Sequence, residues 1–512
     1  MSQWIKILAL GAVLSLAGCS GAKTPDLSEK SIAELQAMMS DGQLSSVQLV
    51  EYYQARIARY DQGEKGLNSI IVVNPDALDI ARQLDQERAQ EGSRGPLHGI
   101  PVLLKDNIDT ADKMPNTAGS LLLKDNLPKR DAPLVAKLRA AGAVILGKAN
   151  LSEWANFRAH PSSSGWSAVG GQVRNPYQEG ANPCGSSGGS AVAVAADLVV
   201  VSVGTETDGS LTCPAAINGI VTIKPTLNLI SQGGIIPIAH SQDTAGPMAR
   251  TVADAALLLE SMTDSTVNYS SALQKDGLNG KRIGVVRNLM GYDQNLDNTF
   301  DAELKALQAQ GAELVDSCDI ATVGQFSEQE FTVLLSEFKA GINAYLEQAD
   351  LPEVNNLKAL VEGNKQLADK ELVHFGQELF EYALQAPALT DSAYIQAQEG
   401  ARRLAGKEGI DAALDRCDVD LLIAPTVGPA WQTDYERGDQ FEGSASSPAA
   451  VAGYPHITVP MGYVEGLPVG ISFFSGANTE SLLIGAAYSY EQATHHRTAP
   501  TLEWITSAAE TE

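Results

Sequence analysis

Two serines, each beside a glycine, are the residues of this chain whose type and setting best suit nucleophilic chemistry. Ser186 lies in Cys-Gly-Ser-Ser-Gly-Gly-Ser, which begins at Cys184, and Ser210 ends Gly-Thr-Glu-Thr-Asp-Gly-Ser, 24 positions later. Glycine permits left-handed backbone conformations and the close approach of a substrate. A turn at the end of a strand can direct several N–H groups at one point, as an oxyanion requires. The two turns therefore predict a site that stabilises a negatively charged oxygen.

The segments around these serines exclude two other interpretations of a glycine-serine run. A flexible linker is excluded because Ala191–Ala196 and Val199–Val203 are apolar enough for a protein core. A phosphate-binding loop would end in Lys-Ser/Thr and have an acidic metal-binding partner, and neither is present. The pattern predicts a glycine-rich turn, a tightly packed helix, a buried strand and a second turn.

A lysine upstream supplies a third reactive group. Lys105 ends the run Gly99-Ile-Pro-Val-Leu-Leu-Lys, whose apolar residues predict a buried strand. A free lysine has a pKa near 10.4 and is protonated at neutral pH. Burial among apolar residues lowers that pKa, so that the amine can accept a proton. Lys105 is therefore a candidate base, and activity should rise from neutral into mildly alkaline pH.

With this lysine the sequence resembles the amidase signature family, whose members hydrolyse amides with a Ser–Ser–Lys triad. The resemblance extends from about residue 28 to the region of Pro500. It is strongest toward peptide amidases and related broad-specificity amidases, on the segments Thr205–Ser210, Cys213–Asn218 and Ser241–Met248. Transamidating members carry Asp-Thr-Gly-Gly-Ser before the nucleophile, and this chain has Glu206-Thr-Asp-Gly-Ser instead.

The resemblance implies a role for each residue of the predicted site. Ser210 would be the nucleophile, Lys105 the base, and Ser186 a proton relay held by a cis Gly185–Ser186 peptide bond. Ser187 and Gly185 would support the relay. The oxyanion hole would be formed by backbone N–H groups, those of Thr207, Asp208, Gly209 and Ser210.

Three other ionisable residues lie near these motifs. Asp208 could orient its loop or contact the polar end of a substrate, and Glu206 could equally be a structural hydrogen-bond partner. His98 precedes the lysine strand and is interpreted as a packing or turn residue. No Cys/His spacing resembles a zinc site, so the sequence predicts neither a metal nor another cofactor.

The predicted reaction is hydrolysis of a carboxamide C–N bond, through an acyl-enzyme, with release of ammonia or an amine. The substrate would be a small amide or the C-terminal amide of a peptide. One alternative is an esterase, because the same groups attack esters. Another is an inactive amidase-fold protein of the cell envelope, which would be expected to lack one of the three triad residues. A glutamine-dependent amidotransferase is disfavoured by the motif before Ser210.

The N-terminus resembles a bacterial lipoprotein signal. Lys6 precedes the short apolar run Ile7–Leu16, which ends in Leu-Ala-Gly-Cys19. This predicts a signal peptide over residues 1–18, lipid attachment at Cys19 and a tether over residues 19–27. Ser20, rather than aspartate, follows the cysteine, which favours the outer membrane, facing the periplasm. The net charge of −26 argues against nucleic acid as a partner.

Four further cysteines, Cys184, Cys213, Cys318 and Cys417, allow three pairings. Cys184 and Cys213 flank the predicted site, and both a disulfide and two buried free thiols are consistent with their positions.

Alternating helical and strand patterns predict one α/β amidase domain over residues 28–505, with a mixed, twisted sheet covered by helices on both faces. Helical patterns over about 324–409 predict an insertion that either borders the site or serves as scaffold. Residues 506–512 form a C-terminal tail. A capping box at Ser31–Glu34 begins the first helix. Further helices are predicted at 46–60, 76–91, 132–141 and 250–262, and strands at 70–73, 101–105, 144–146, 282–286, 421–423, 457–459 and 469–474.

Overall fold

A computed structural model of the chain describes residues 26–349 and 351–505. The predicted signal peptide, Cys19, most of the tether and the C-terminal tail lie outside these residues. None of the helices in the described part of the chain is long and apolar enough to cross a bilayer.

A mixed β-sheet forms the centre of the molecule. Within the described residues it has eleven strands in the order β1-β3-β2-β6-β8-β7-β12-β13-β11-β9-β10, and β4 and β5 form a separate hairpin. The strands are β1 Ile70–Val73, β2 Pro101–Lys105, β3 Val144–Ala149, β4 Trp166–Ser167, β5 Gly171–Gln172, β6 Val201–Glu206, β7 Val221–Lys224, β8 Thr244–Ala249, β9 Arg282–Val285, β10 Glu313–Val315, β11 Leu421–Pro425, β12 His456–Val464 and β13 Leu467–Phe474.

Helices pack against this sheet. They are α1 Ile32–Ser40, α2 Ser46–Tyr60, α3 Ala77–Glu91, α4 Pro133–Ala140, α5 Gly188–Ala195, α6 Thr212–Ile217, α7 Val252–Met262, α8 Gln294–Ala309, α9 Ser327–Ala349, α10 Leu357–Gln366, α11 Ala368–Glu371, α12 Glu378–Gln385, α13 Ser392–Ala405, α14 Asp411–Cys417, α15 Ser446–Ala452 and α16 Glu480–Thr494. Every residue of β2, β3, β6 and β8 is buried, which requires cover on both faces of the sheet. The predicted α/β class and mixed sheet are confirmed.

Local signals explain the helix boundaries. The predicted capping box is present, with Ser31 Oγ accepting from the Glu34 amide and the Glu34 carboxylate accepting from the Ser31 amide. Helix α7 begins at Val252, two residues later than predicted, because Thr251 caps it.

The predicted helix is α5, which begins at Gly188, inside the glycine-serine turn. A Cβ on Gly189 would collide with the carbonyl oxygens of Ser69 and Asn150. Glycine at this position therefore lets the first turn of α5 lie directly against the neighbouring backbone.

Helices α9 to α13 form the predicted helical region, and its inner side has a hydrophobic cluster of its own. Phe338 of α9 stacks on Phe380 of α12, with ring centroids 5.1 Å apart. Both rings contact residues that follow β3: Phe157 packs on Phe338, and Trp154 packs edge-on against Phe380. The helical region is thus joined to the sheet next to the segment that carries Ser152.

The four cysteines of the described chain form two disulfides, Cys184–Cys213 and Cys318–Cys417. This resolves the pairing that the sequence left open. The first bridge joins the turn before Ser186 to α6, the helix that follows Ser210.

Candidate active site

Adjacent parallel strands bring the two halves of the site together. In β2 and β6, Leu104 lies opposite Val203, so that the carboxyl ends of both strands meet at one edge of the sheet. Lys105 ends β2 there, and Thr205 lies beside it near the end of β6. The turn that contains Ser186 leads into α5 at the same edge, which is where α/β proteins commonly place their functional groups.

Lys105 is fully buried, and its amine has three partners. Its Nζ donates to Ser186 Oγ at 2.7 Å, to Thr205 Oγ1 at 2.9 Å and to the Thr205 carbonyl at 3.2 Å. Burial lowers the pKa of Lys105 to about 7, although the carboxylates of Asp243 and Glu206 partly oppose the shift. At neutral pH the amine is therefore neutral in a large fraction of the protein molecules, and in that form it can accept a proton.

The peptide bond between Gly185 and Ser186 is cis, as the family resemblance implies. The carbonyl of Ser186 accepts from the amide of Ser152 at 3.1 Å. A Cβ on Gly185 would collide with the Ser152 hydroxyl, so this position requires glycine. These contacts hold the Ser186 hydroxyl toward Lys105.

Ser210 lies beside this pair and is tied to it through Ser187. The Ser187 amide donates to the Ser210 carbonyl at 3.2 Å, and the Ser187 hydroxyl donates to the Thr205 carbonyl at 3.0 Å. In residues 26–349 and 351–505, the Ser210 hydroxyl makes no hydrogen bond with Ser186. The structure thus joins Lys105 directly to Ser186, and Ser210 to them through the Ser187 backbone.

The loop from Thr207 to Ser210 follows β6, at the edge of the sheet where Lys105 ends β2. Gly209 has a φ of +78°, a left-handed conformation that favours glycine. No group in the described part of the chain accepts a hydrogen bond from the four amides of this loop. Because buried N–H groups are usually paired, these amides are available to a negatively charged ligand oxygen.

Side chains from distant segments hold this loop in place. The Asp208 carboxylate accepts from Ser446 Oγ at 2.5 Å and from Ser447 Oγ at 2.6 Å. Thr207 Oγ1 donates to Asp243 at 2.6 Å. Of the two roles that the sequence left open for Asp208, orienting the loop is the one these contacts support.

The contacts of Glu206 and His98 support structural roles, which the sequence left open for Glu206 and favoured for His98. The Glu206 carboxylate accepts from the amides of Leu211 and Thr212 at 2.8 and 3.0 Å, a structural role at the start of α6. Burial raises the pKa of Glu206. The ring of His98 is buried and bonds to the Leu84 carbonyl and the Arg94 amide, as a packing and turn residue does.

Several residues of the site were not singled out from the sequence. Thr205 accepts from both Lys105 and Asn107, and it lies within a motif already quoted, so its position was a usable signal. Ser446 and Ser447 lie more than 230 residues from Asp208 and carry no local signal. Trp154, Ala155 and Asn156 have φ values of 51°, 54° and 68°, an unusual run for residues other than glycine.

A cavity adjoins the site on the side of Asn107. Its lining includes Ala155, Thr205, Thr207 and Ile236. Within residues 26–349 and 351–505, no cluster of three or more His, Cys, Asp or Glu side chains is placed to hold a metal ion.

Comparison with known proteins identifies relatives along nearly the whole chain. A family model described as Amidase matches residues 48–484. A probable amidase of Arabidopsis thaliana is 37% identical over 96% of this chain and 96% of its own. A putative amidase of Schizosaccharomyces pombe is 35% identical over 93% of this chain and 87% of its own.

Among solved structures, the native peptide amidase from Stenotrophomonas maltophilia is 48% identical, with a TM-score of 0.89, over 93% of this chain and 99% of that one. A peptide amidase in complex with the competitive inhibitor chymostatin is 49% identical, with a TM-score of 0.90, over 92% and 99%. Fold and relatives together define an amide-hydrolysing enzyme. More particularly, the chain belongs to the amidase signature family.

Proposed function

We propose that this protein hydrolyses carboxamide C–N bonds with Lys105, Ser186 and Ser210 as its catalytic triad. The observation that carries the proposal is the buried Lys105 amine, 2.7 Å from the Ser186 hydroxyl and with its pKa lowered to about 7. A neutral amine bonded to a serine can draw a proton from that hydroxyl, which in turn can deprotonate a second serine.

In the proposed reaction, Ser186 passes its proton to Lys105 and takes the proton of Ser210. The Ser210 oxygen attacks the carbonyl carbon, and the carbonyl π electrons move to the oxygen, which the amides of the Thr207–Ser210 loop stabilise. The carbonyl then re-forms as the C–N bond breaks, Ser186 gives its proton to the departing nitrogen, and Lys105 returns the first proton to Ser186. Water repeats these steps on the acyl-enzyme, releasing the carboxylic acid and restoring Ser210.

We propose the C-terminal amides of peptides as the substrate class. The support is the likeness to peptide amidase structures, at 48–49% identity over more than nine-tenths of this chain. Simple carboxamides are the second candidate, because the proposed chemistry requires only the amide group itself. An ester would meet the same nucleophile, so the ratio of amide to ester turnover separates an amidase from an esterase.

The test is ammonia release from a panel of peptide amides, simple carboxamides and matched esters, by residues 20–512 and by its Ser210→Ala variant. We expect release by the parent and none by the variant, with peptide amides turned over fastest. Release by both would place the nucleophile elsewhere. Binding of peptide amides without any turnover by the folded parent would favour the inactive amidase-fold alternative.

We also propose that Cys19 is lipidated and anchors the enzyme in the bacterial cell envelope, at the outer membrane and facing the periplasm. The motif Leu-Ala-Gly-Cys19 and the two disulfides support an oxidising compartment. The full chain expressed in a Gram-negative host should incorporate labelled fatty acid, and its Cys19→Ala variant should not. Equal labelling of the two proteins would contradict the anchor.

A further inference from the structure

Helix α9 of the helical region binds Ser241 and Gln242, two residues of the segment next to the Thr207–Ser210 loop. Glu330 and Glu337 lie seven residues apart on α9, hence on one face of the helix, and both are buried. The Glu337 carboxylate accepts from the Ser241 amide at 2.9 Å. The Glu330 carboxylate accepts from the side-chain amide of Gln242 at 3.0 Å.

Gln242 connects Glu330 to the Thr207–Ser210 loop. Its Nε2 donates both to Glu330 and to the Thr207 carbonyl, at 3.3 Å, and the side chain is 2% exposed. The Thr207 carbonyl and the Asp208 N–H belong to one peptide unit. A donor to the carbonyl polarises that unit and makes its N–H a better donor.

We propose that Glu330 is a positioning residue, acting through Gln242 on the Asp208 N–H of the oxyanion hole. This rests on the proposed function, since the loop stabilises an oxyanion only if Ser210 attacks an acyl carbon. The proposal gives α9 a role in the reaction. The sequence alone did not decide whether the helical region borders the site or serves only as scaffold.

The charge state of Glu330 matters to this role. Burial, and after it the neighbouring Asp208 carboxylate, raises the pKa of Glu330 to about 8. The groups facing this pair are Gln242 on Glu330, and Ser446, Ser447, the Glu206 carboxylate and the more distant Lys224 on Asp208. A proton lost from the pair at alkaline pH leaves a negative charge near the developing oxyanion, which opposes the reaction.

The test combines kinetics with a double-mutant cycle. Glu330→Ala should lower kcat about fivefold to tenfold with little change in KM, because the loss is confined to the transition state. Gln242→Ala should have a similar effect. Adding Glu330→Ala to Gln242→Ala should lower kcat no further, since the two residues act in series. Independent, additive losses would overturn the proposal.

The pH profile supplies the readout that a merely structural residue would not move. Glu330→Gln keeps an acceptor for Gln242 but cannot ionise, so kcat should no longer fall above about pH 8. Glu337→Gln is the matched control on the same helix face, and it should keep the alkaline fall. An unchanged profile in Glu330→Gln, or the same change in both variants, would overturn the proposal. Ser210→Ala is measured in parallel. If this variant is active, the proposed function itself has failed; if it is inactive, only the role of Glu330 is in question.

Discussion

The amine of Lys105 lies 2.7 Å from the hydroxyl of Ser186, at a position from which solvent is excluded. Burial makes the charged form of the lysine unfavourable, and the hydrogen bond gives its neutral form a proton source. The parallel pairing of β2 with β6 places the end of the lysine strand beside Thr205, whose hydroxyl and carbonyl also accept from this amine.

Activity should rise with pH through the titration of Lys105. Its pKa is lowered to about 7, so the amine is protonated and inactive as a base below that value and neutral above it. We expect kcat/KM for a peptide amide to increase between about pH 5.5 and 8, with a midpoint near pH 7. A profile that stays level across this range would show that another group is the base.

The hydroxyl of Ser186 should matter far more than that of a neighbouring buried serine. Ser186→Ala should lower kcat by about 100-fold to 10,000-fold, the usual range for loss of a proton-transfer group. Ser190→Ala is the control, because Ser190 is also buried and its hydroxyl donates only to the Val203 carbonyl. It should lose about 1 kcal/mol of stability and keep its kcat. Equal losses of activity in the two variants would indicate a packing effect.

Removing each of the two disulfides should affect stability and activity differently, because only one of them lies next to the site. Cys184–Cys213 has a sequence separation of 29 and joins the turn before Ser186 to α6, whereas Cys318–Cys417 has a sequence separation of 99 and joins segments outside the site. Loop entropy predicts that removing the second bridge costs at least as much stability, both costs being about 2–5 kcal/mol. Activity should show the opposite order.

The comparison uses Cys184→Ala/Cys213→Ala and Cys318→Ala/Cys417→Ala, with unfolding curves and kcat measured on each. We expect kcat to fall at least about tenfold in the first variant, because a small displacement of reacting groups is costly. The second variant should turn over at the wild-type rate below its unfolding temperature. Full activity in the first variant would show that the backbone contacts of Ser187 suffice.

A buried ion cluster should govern how firmly the helical region is attached. Arg158 Nη1 lies 3.0 Å from Glu153 and 3.9 Å from Glu371, and Glu371 also accepts from the Leu121 amide. Glu371→Ala should lower the free energy of unfolding by about 1–3 kcal/mol, because the Leu121 amide loses its acceptor while Arg158 keeps Glu153 as a partner. Glu362→Ala, on the exposed side of α10, should change it by less than about 0.5 kcal/mol. Similar values for both would mean that Glu371 is not a structural anchor.

The parts of the fold that sequence predicted are those with local causes. The strand that ends at Lys105 and the capping box at Ser31 follow from patterns a few residues long, and the structure has both. The contact between Lys105 and Ser186 was expected from the family resemblance, and the structure brings the two side chains together. The catalytic roles of these residues remain predictions.

The sequence did not predict the contacts between segments that are far apart in the chain. Ser446 reaches Asp208 across 238 residues, and Gln242 reaches Glu330 across 88. Such contacts follow from the order of strands in the sheet and from the docking of α9, neither of which a periodic pattern specifies. The cysteine pairing was open for the same reason.

The measurement that tests the central claim most directly is mass-spectrometric mapping of a fluorophosphonate adduct on the folded enzyme. We expect one adduct, on Ser210, formed more slowly in Lys105→Met and absent in Ser210→Ala. Its formation should be prevented by excess peptide amide. An adduct on Ser186 or on any other residue, or unaltered labelling of Ser210→Ala, would contradict the assignment of Ser210 as the nucleophile.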